Sequence, residues 1–163
     1  MSDENRVQEF LQVLREFRCV MLATHSLDGE VRARPMVLAS IDDDLSMWLM
    51  SDIHSEKVEE LTRDARVSLT LQKDSTFASV SGKAEVVRDQ QKVLALWSEP
   101  WRVWFPKGPE DDSIVLLRVQ PEHGEYWDSS GMSKAKYLYK AATAYLTGTR
   151  PKMDESLHGK VSL

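Results

Sequence analysis

The order of apolar and polar positions divides the chain into a helical start, a strand-rich middle and a more polar end. Residues 3–17 carry Val7, Phe10, Leu11 and Leu14 at i, i+3, i+4 and i+7, the spacing of one apolar stripe on a helix. Asp3 is placed to cap it. From residue 18 the period changes. Residues 18–25 form a short apolar run, residues 27–30 hold an Asp-Gly pair, and residues 31–40 alternate in part. That is the pattern of a hairpin. The acidic turn at residues 42–44 leads to a third strand over residues 45–51. Connections this short predict antiparallel neighbours.

Residues 55–62 predict a short helix with Val58 and Leu61 inward and Glu59 and Arg63 toward water. Residues 67–71 alternate strictly, as a half-buried strand does. After a turn at residues 73–75 comes a long strand over residues 77–87, in which Gly82 marks a bulge or a close approach of backbone. Asp89 caps a second short helix that runs to Trp97. Residues 98–112 form an irregular loop rich in aromatic residues, Pro and Gly, and residues 114–119 and 125–128 supply the last strand or strands. Residues 134–146 have helical composition, stopped by Gly148 and Pro151, and residues 151–163 read as extended. Six or so antiparallel strands with only short helices predict a mainly β fold, a barrel with flanking α-helices. Closure into a barrel removes exposed edges.

Composition narrows this picture. A chain of 163 residues suits one domain, residues 1–163. With 42% hydrophobic and 29% charged residues it can fold without disulfides or a metal. The net charge of −5 argues against nucleic acid and anionic membranes as partners. An anionic ligand then needs a local basic site. The single cysteine, Cys19, excludes an internal disulfide and reads as a small buried hydrophobe within residues 19–23. A polar N-terminus and the lack of any long apolar stretch point to a cytoplasmic chain.

Searches for catalytic motifs return nothing. The four histidines, His25, His54, His123 and His158, have no metal-ligand spacing, and no GxSxG, P-loop or GxGxxG is present. No catalytic residue and no metal site is assigned. Three other groupings carry chemistry. In residues 51–57 a strand ends and a helix begins at Ser55, with Lys57 in its first turn. Free N–H groups, a hydroxyl and an ammonium there make a phosphate-sized anion site. In residues 31–37, Arg32 and Arg34 share one side of a strand that contains Pro35. This is either a wall for a flat polar ligand or an edge with solvated arginines. Of five tryptophans, Trp97, Trp101 and Trp104 gather around the aromatic loop. They fit a second core patch, a subunit interface or a stacking wall for a planar ring.

Taken in order, these segments resemble the general stress protein 26 group of the pyridoxamine 5′-phosphate oxidase-like, FMN-binding split β-barrels. The likeness is carried by residues 20–24, Arg34-Pro35-Met36, residues 45–51 followed by Ser55-x-Lys57, and residues 67–71. It continues through residues 80–86, Trp97, Trp104-Phe105-Pro106-x-Gly108, Glu125-Tyr126-Trp127 and the tail at residues 159–163. The resemblance implies a six-stranded antiparallel Greek-key barrel and a homodimer with FMN (or FAD) at the subunit interface. It places Arg34, Pro35 and Met36 against the flavin ring and ribityl chain, Met50 and Ser51 on the next wall, and Ser55 and Lys57 on the phosphate. A partner subunit would bring Ser79, Ser81 and Gly82 and one of Trp101 and Trp104. The implied function is an FMN-dependent oxidoreductase. The alternatives are a non-enzymatic flavin carrier or stress sensor, or the same barrel holding deazaflavin F420 or haem. Residues 127–131 lack the arginine that vitamin B6 oxidases use near their C-terminus, which sets this chain apart from that activity.

Overall fold

A computed structural model describes residues 3–128, 131–148 and 158–163. Its elements in chain order are α1 (Asp3–Leu14), β1 (Cys19–His25), β2 (Val31–Ile41), β3 (Met47–Asp52), α2 (Glu56–Arg63), β4 (Arg66–Lys73), β5 (Thr76–Val87), α3 (Gln90–Leu96), a 3-10 turn (Glu99–Val103), β6 (Ile114–Asp128), α4 (Gly131–Thr147) and β7 (His158–Ser162). Every strand pairing is antiparallel. The order is β3-β2-β1-β4-β5-β6-β7, and a further β3–β6 ladder closes the first six strands into a barrel. The meander β1-β2-β3 followed by a return to β4 beside β1 is the Greek-key connection, so the predicted fold class holds.

Alternation sets the inside of the barrel. Val67, Leu69 and Leu71 of β4, Ala78 and Val80 of β5, and Val20 and Leu22 of β1 point inward and are almost fully buried. Helix α1 covers one open end through Phe10, Leu11 and Leu14. Phe10 lies over Gly124 of β6, where a Cβ would stand 2.3 Å from its ring. At Gly82 a Cβ would meet the Gln120 carbonyl oxygen at 2.1 Å, and the β5–β6 register shifts at Ser81/Gly82. The bulge predicted at Gly82 is therefore a backbone-to-backbone approach.

Several details differ from the sequence reading. The last strand is one continuous 15-residue element, long enough to pair with β3 at its start and β7 at its end. Part of the predicted extended tail is strand β7, while residues 151–157 lie outside the described residues. Cys19 is exposed, not buried. Its neighbours Val20 and Leu22 take the inward positions of β1, so period-2 alternation turns Cys19, Met21 and Ala23 outward.

One irregularity positions everything that follows. Residues 31–37 of β2 pair only with β1, and β2 meets β3 only from Leu38 onward. Beyond Leu49, β3 pairs only with β6. The wall is thus split between residues 34–37 and 50–52. Pro35 sits on the open side of this split, where its missing N–H costs no ladder hydrogen bond.

Candidate functional site

The split holds a cleft of about 360 Å³, within the usual range for small-molecule sites. Pro35, Met36 and Val37 form one wall and Met50, Ser51 and Asp52 the other. The aromatic loop after α3 crosses the opening with Trp101, Trp104 and Phe105. That loop is anchored by an outer apolar cluster of Trp48, Met50, Val93, Ile114 and Leu116, on which Trp97, Trp101 and Phe105 pack. Asp89 caps α3 by accepting a hydrogen bond from the Lys92 amide, and the loop follows directly. Trp104 is 62% exposed at the rim, an exposure that leaves its ring face free for stacking.

Polar groups gather at one end of the cleft. Lys57 Nζ donates to Ser51 Oγ at 3.3 Å, and the Ser51 and Ser55 hydroxyls are 3.1 Å apart. Ser55 is the N-cap of α2. Its hydroxyl makes no cap bond and donates instead to the Asp52 carbonyl at 2.7 Å. The first N–H groups of α2, those of Glu56 and Lys57, have no acceptor within the helix. Asp52 is committed elsewhere, accepting from the His54 amide at 2.7 Å and the Ser113 hydroxyl at 3.2 Å. Burial pushes the Lys57 ammonium below its ordinary pKa, and the Arg34 guanidinium adds to the shift; Asp52 and Glu60 oppose it. The arrangement offers hydroxyls, amides and one ammonium beside an apolar slot. It suits a flat aromatic ligand ending in an anionic group, and these residues fit a flavin phosphate.

The expected site residues fall into three places. Pro35, Met36, Met50, Ser51, Lys57, Trp101 and Trp104 share the cleft, with Ser55 directly behind Ser51. The two tryptophans reach it from the same chain, because the loop after α3 packs on the outer side of β3 and lies over the split of its own barrel. Arg34 stands apart from the lining. Its Nη2 pairs with Glu60 at 2.9 Å and its Nη1 bonds Thr24. Ser79 and Ser81 are on the outer face of β5. Ser79 lines an uncharged groove with Cys19, Met21, Pro35, Phe77 and Trp127. Both line a larger, polar cavity of about 540 Å³ with Arg6, His123 and Lys160. That cavity has no aromatic wall, so it is a poorer match to a planar ring. Gly82 is accounted for by its contact with Gln120.

Sequence reasoning missed Cys19, Val37, Asp52 and Phe105 as lining residues, and it missed the burial of Glu60. Strand parity could have exposed Cys19. Nothing local marks Glu60, whose partners are 26 and 36 residues away.

Comparison with known proteins agrees with this architecture. The family model described as "Pyridoxamine 5'-phosphate oxidase like" matches residues 5–152. A structure described as general stress protein 26 from Jannaschia sp. is 25% identical, with a TM-score of 0.70, over 99% of this chain and 100% of that one. A general stress family protein of Xanthomonas campestris is 26% identical, with a TM-score of 0.65, over 81% of this chain and 93% of that one. A pyridoxamine 5′-phosphate oxidase-related, FMN-binding protein of Nostoc punctiforme shares the fold at 13% identity, with a TM-score of 0.61, over 96% and 94%. Protein bli-3 of Neurospora crassa is 25% identical over 118 residues, 66% of this chain, which spans 56% of that relative's length. Among the described residues no helix is long and apolar enough to cross a membrane. With its split barrel and a family match over nearly the whole chain, the protein belongs to the pyridoxamine 5′-phosphate oxidase-like family.

Proposed function

We propose that this chain binds FMN in the split between β2 and β3. The observation that carries the reading is the joining of an apolar, tryptophan-lined slot to the Ser51, Ser55 and Lys57 cluster at the start of α2. Met36, Met50, Trp101 and Trp104 would hold the ring, and the α2 end would hold the phosphate. FAD presents a phosphate at the same point, and the mass of the bound flavin separates the two. One chain encloses a slot at the small end of the range for ligand sites, which supports completion by a second copy. The uncharged groove on the outer face, with Met21 and Phe77 each about 40% exposed, is the surface such a copy would cover.

A bound flavin supplies hydride and electron transfer, and the protein supplies position and field. This supports an FMN-dependent oxidoreductase, and a cytoplasmic location is part of the same proposal. The carrier reading is favoured by a different observation: the ionisable groups that line the cleft, apart from the Cys19 thiol, are Asp52 and Lys57, both at the polar end and both engaged. Titrating the protein with FMN while following tryptophan fluorescence tests the binding. Mixing the loaded protein anaerobically with NADH or NADPH tests turnover. Flavin bleaching supports the oxidoreductase; an unbleached, tightly held flavin supports the carrier.

A further inference from the structure

The barrel closes through the β3–β6 ladder without β7, so the seventh strand adds something that closure does not need. With β5 and β6 it sets two rows of side chains. Ser79, Glu125 and Lys160 stand side by side in one row, and Ser81, His123 and Ser162 in the next. Residues two apart on a strand share a face, so both rows look outward, opposite the buried Val80 and Val161. Together with Arg6 of α1 they line the polar cavity of about 540 Å³, which shares no lining residue with the cleft.

Strand β7 is fixed by three contacts. His158 stacks on Trp127 with centroids 5.0 Å apart, its Nε2 lies 2.6 Å from Glu125 Oε1, and Gly159 sits under Tyr126, where a Cβ would stand 2.2 Å from the ring. Lys160 Nζ is thereby held 3.2 Å from the same Glu125 oxygen. Arg6 makes no ion pair among the described residues. Two cations, Arg6 and Lys160, thus face one carboxylate in the cavity. A guanidinium and an ammonium beside serine hydroxyls suit phosphate oxygens through charge-assisted hydrogen bonds. Among the described residues no Phe, Tyr or Trp lines the cavity, so a planar aromatic body gains little there. Glu125 keeps lone pairs for further donors. Hydroxyl groups on a ligand would satisfy it, and a second carboxylate on the ligand would be repelled by it.

We propose that this cavity binds a small polyhydroxylated phosphate ester, with its phosphate on Arg6 and Lys160 and its hydroxyls on the serines, His123 and Glu125. The site is separate from the flavin seat and does not depend on it.

The test is isothermal titration calorimetry of the full chain with ribose 5-phosphate and glucose 6-phosphate as probes, each with and without saturating FMN. At least one probe should bind saturably, with a dissociation constant of about 1 mM or tighter in both conditions. The free sugar, which lacks the phosphate, and citrate, whose carboxylates meet Glu125, should each bind at least about tenfold more weakly. Arg6→Met/Lys160→Met should weaken the sugar phosphate at least about tenfold, whereas Lys57→Met should leave its affinity within about threefold of wild type. His123→Asp puts a second carboxylate in the cavity and should abolish binding, which decides the matter if the paired variant does not fold. No saturable binding of either probe, free sugar or citrate as tight as the sugar phosphate, or full affinity in Arg6→Met/Lys160→Met or in His123→Asp overturns the proposal. A loss confined to Lys57→Met or to the FMN-loaded protein puts the anion in the flavin seat and overturns it as well. A chain that binds the sugar phosphate and no flavin supports this site and overturns the flavin reading only.

Discussion

Lys57→Met removes the ammonium at the polar end of the cleft and keeps much of the apolar stem. Lys57 is half-buried, and its Nζ reaches Ser51 Oγ at 3.3 Å. A phosphate oxygen is a stronger acceptor than that hydroxyl. Losing a hydrogen bond to a charged group costs about 1.5–3 kcal/mol, or roughly 10- to 150-fold in affinity. The upper part of the range applies, because burial is the leading cause of the lowered Lys57 pKa and so the site is partly desolvated. Fluorescence titration should show weaker FMN binding by Lys57→Met and almost unchanged riboflavin binding. The pH profile adds a sign. A lowered ammonium pKa means that the charge is lost earlier as pH rises, so the FMN advantage over riboflavin should begin to fall below the ordinary lysine value of 10.5. Equal losses for FMN and riboflavin would show that Lys57 supports the fold of the cleft and does not meet a phosphate.

Three further outcomes are expected. Gly82→Ala should lower stability by about 1–3 kcal/mol in urea unfolding, because its Cβ has only 2.1 Å to the Gln120 carbonyl oxygen. Phe77→Asp, on the uncharged outer groove, should halve the mass seen by light scattering while leaving the melting temperature within a few degrees; a wild type that is already monomeric refutes the groove as a self-interface. Burial, with Glu9 as a further cause, pushes the Tyr126 phenol up to about 12. An ultraviolet titration should therefore show one tyrosine ionising only near that value.

The parts of this fold that were legible in the sequence are those set by short-range pattern. Val67, Leu69 and Leu71 alternate with polar residues, and the strand lies where that alternation is. Asp89 marks a helix start by its capping carboxylate, and Ser55 falls at the N-cap position where a serine is expected. The anion site was readable for the same reason, since Ser51, Ser55 and Lys57 lie within seven residues. What stayed hidden depends on distant pairing. The β3–β6 ladder that closes the barrel joins residues more than 60 positions apart. The split that makes the cleft appears only once β2 before Leu38 and β3 after Leu49 are seen to part. The pairing of Arg34 with buried Glu60 was not legible, because Glu60 sits on a helix whose apolar stripe gives no sign that a carboxylate shares it. The aromatic loop was recognised, but which barrel it covers follows from the path of α3 and not from its composition.

The central claim is that the split between β2 and β3 is a seat for FMN. Its most direct test is the absorption spectrum of the purified protein after incubation with FMN and removal of free ligand, with mass spectrometry of whatever is released on denaturation. The claim predicts the two visible bands of oxidised flavin, a released mass equal to FMN and loss of the bound flavin in a Trp101→Ala/Lys57→Met variant. A protein that retains no flavin, or one that retains it equally well in that variant, would contradict it.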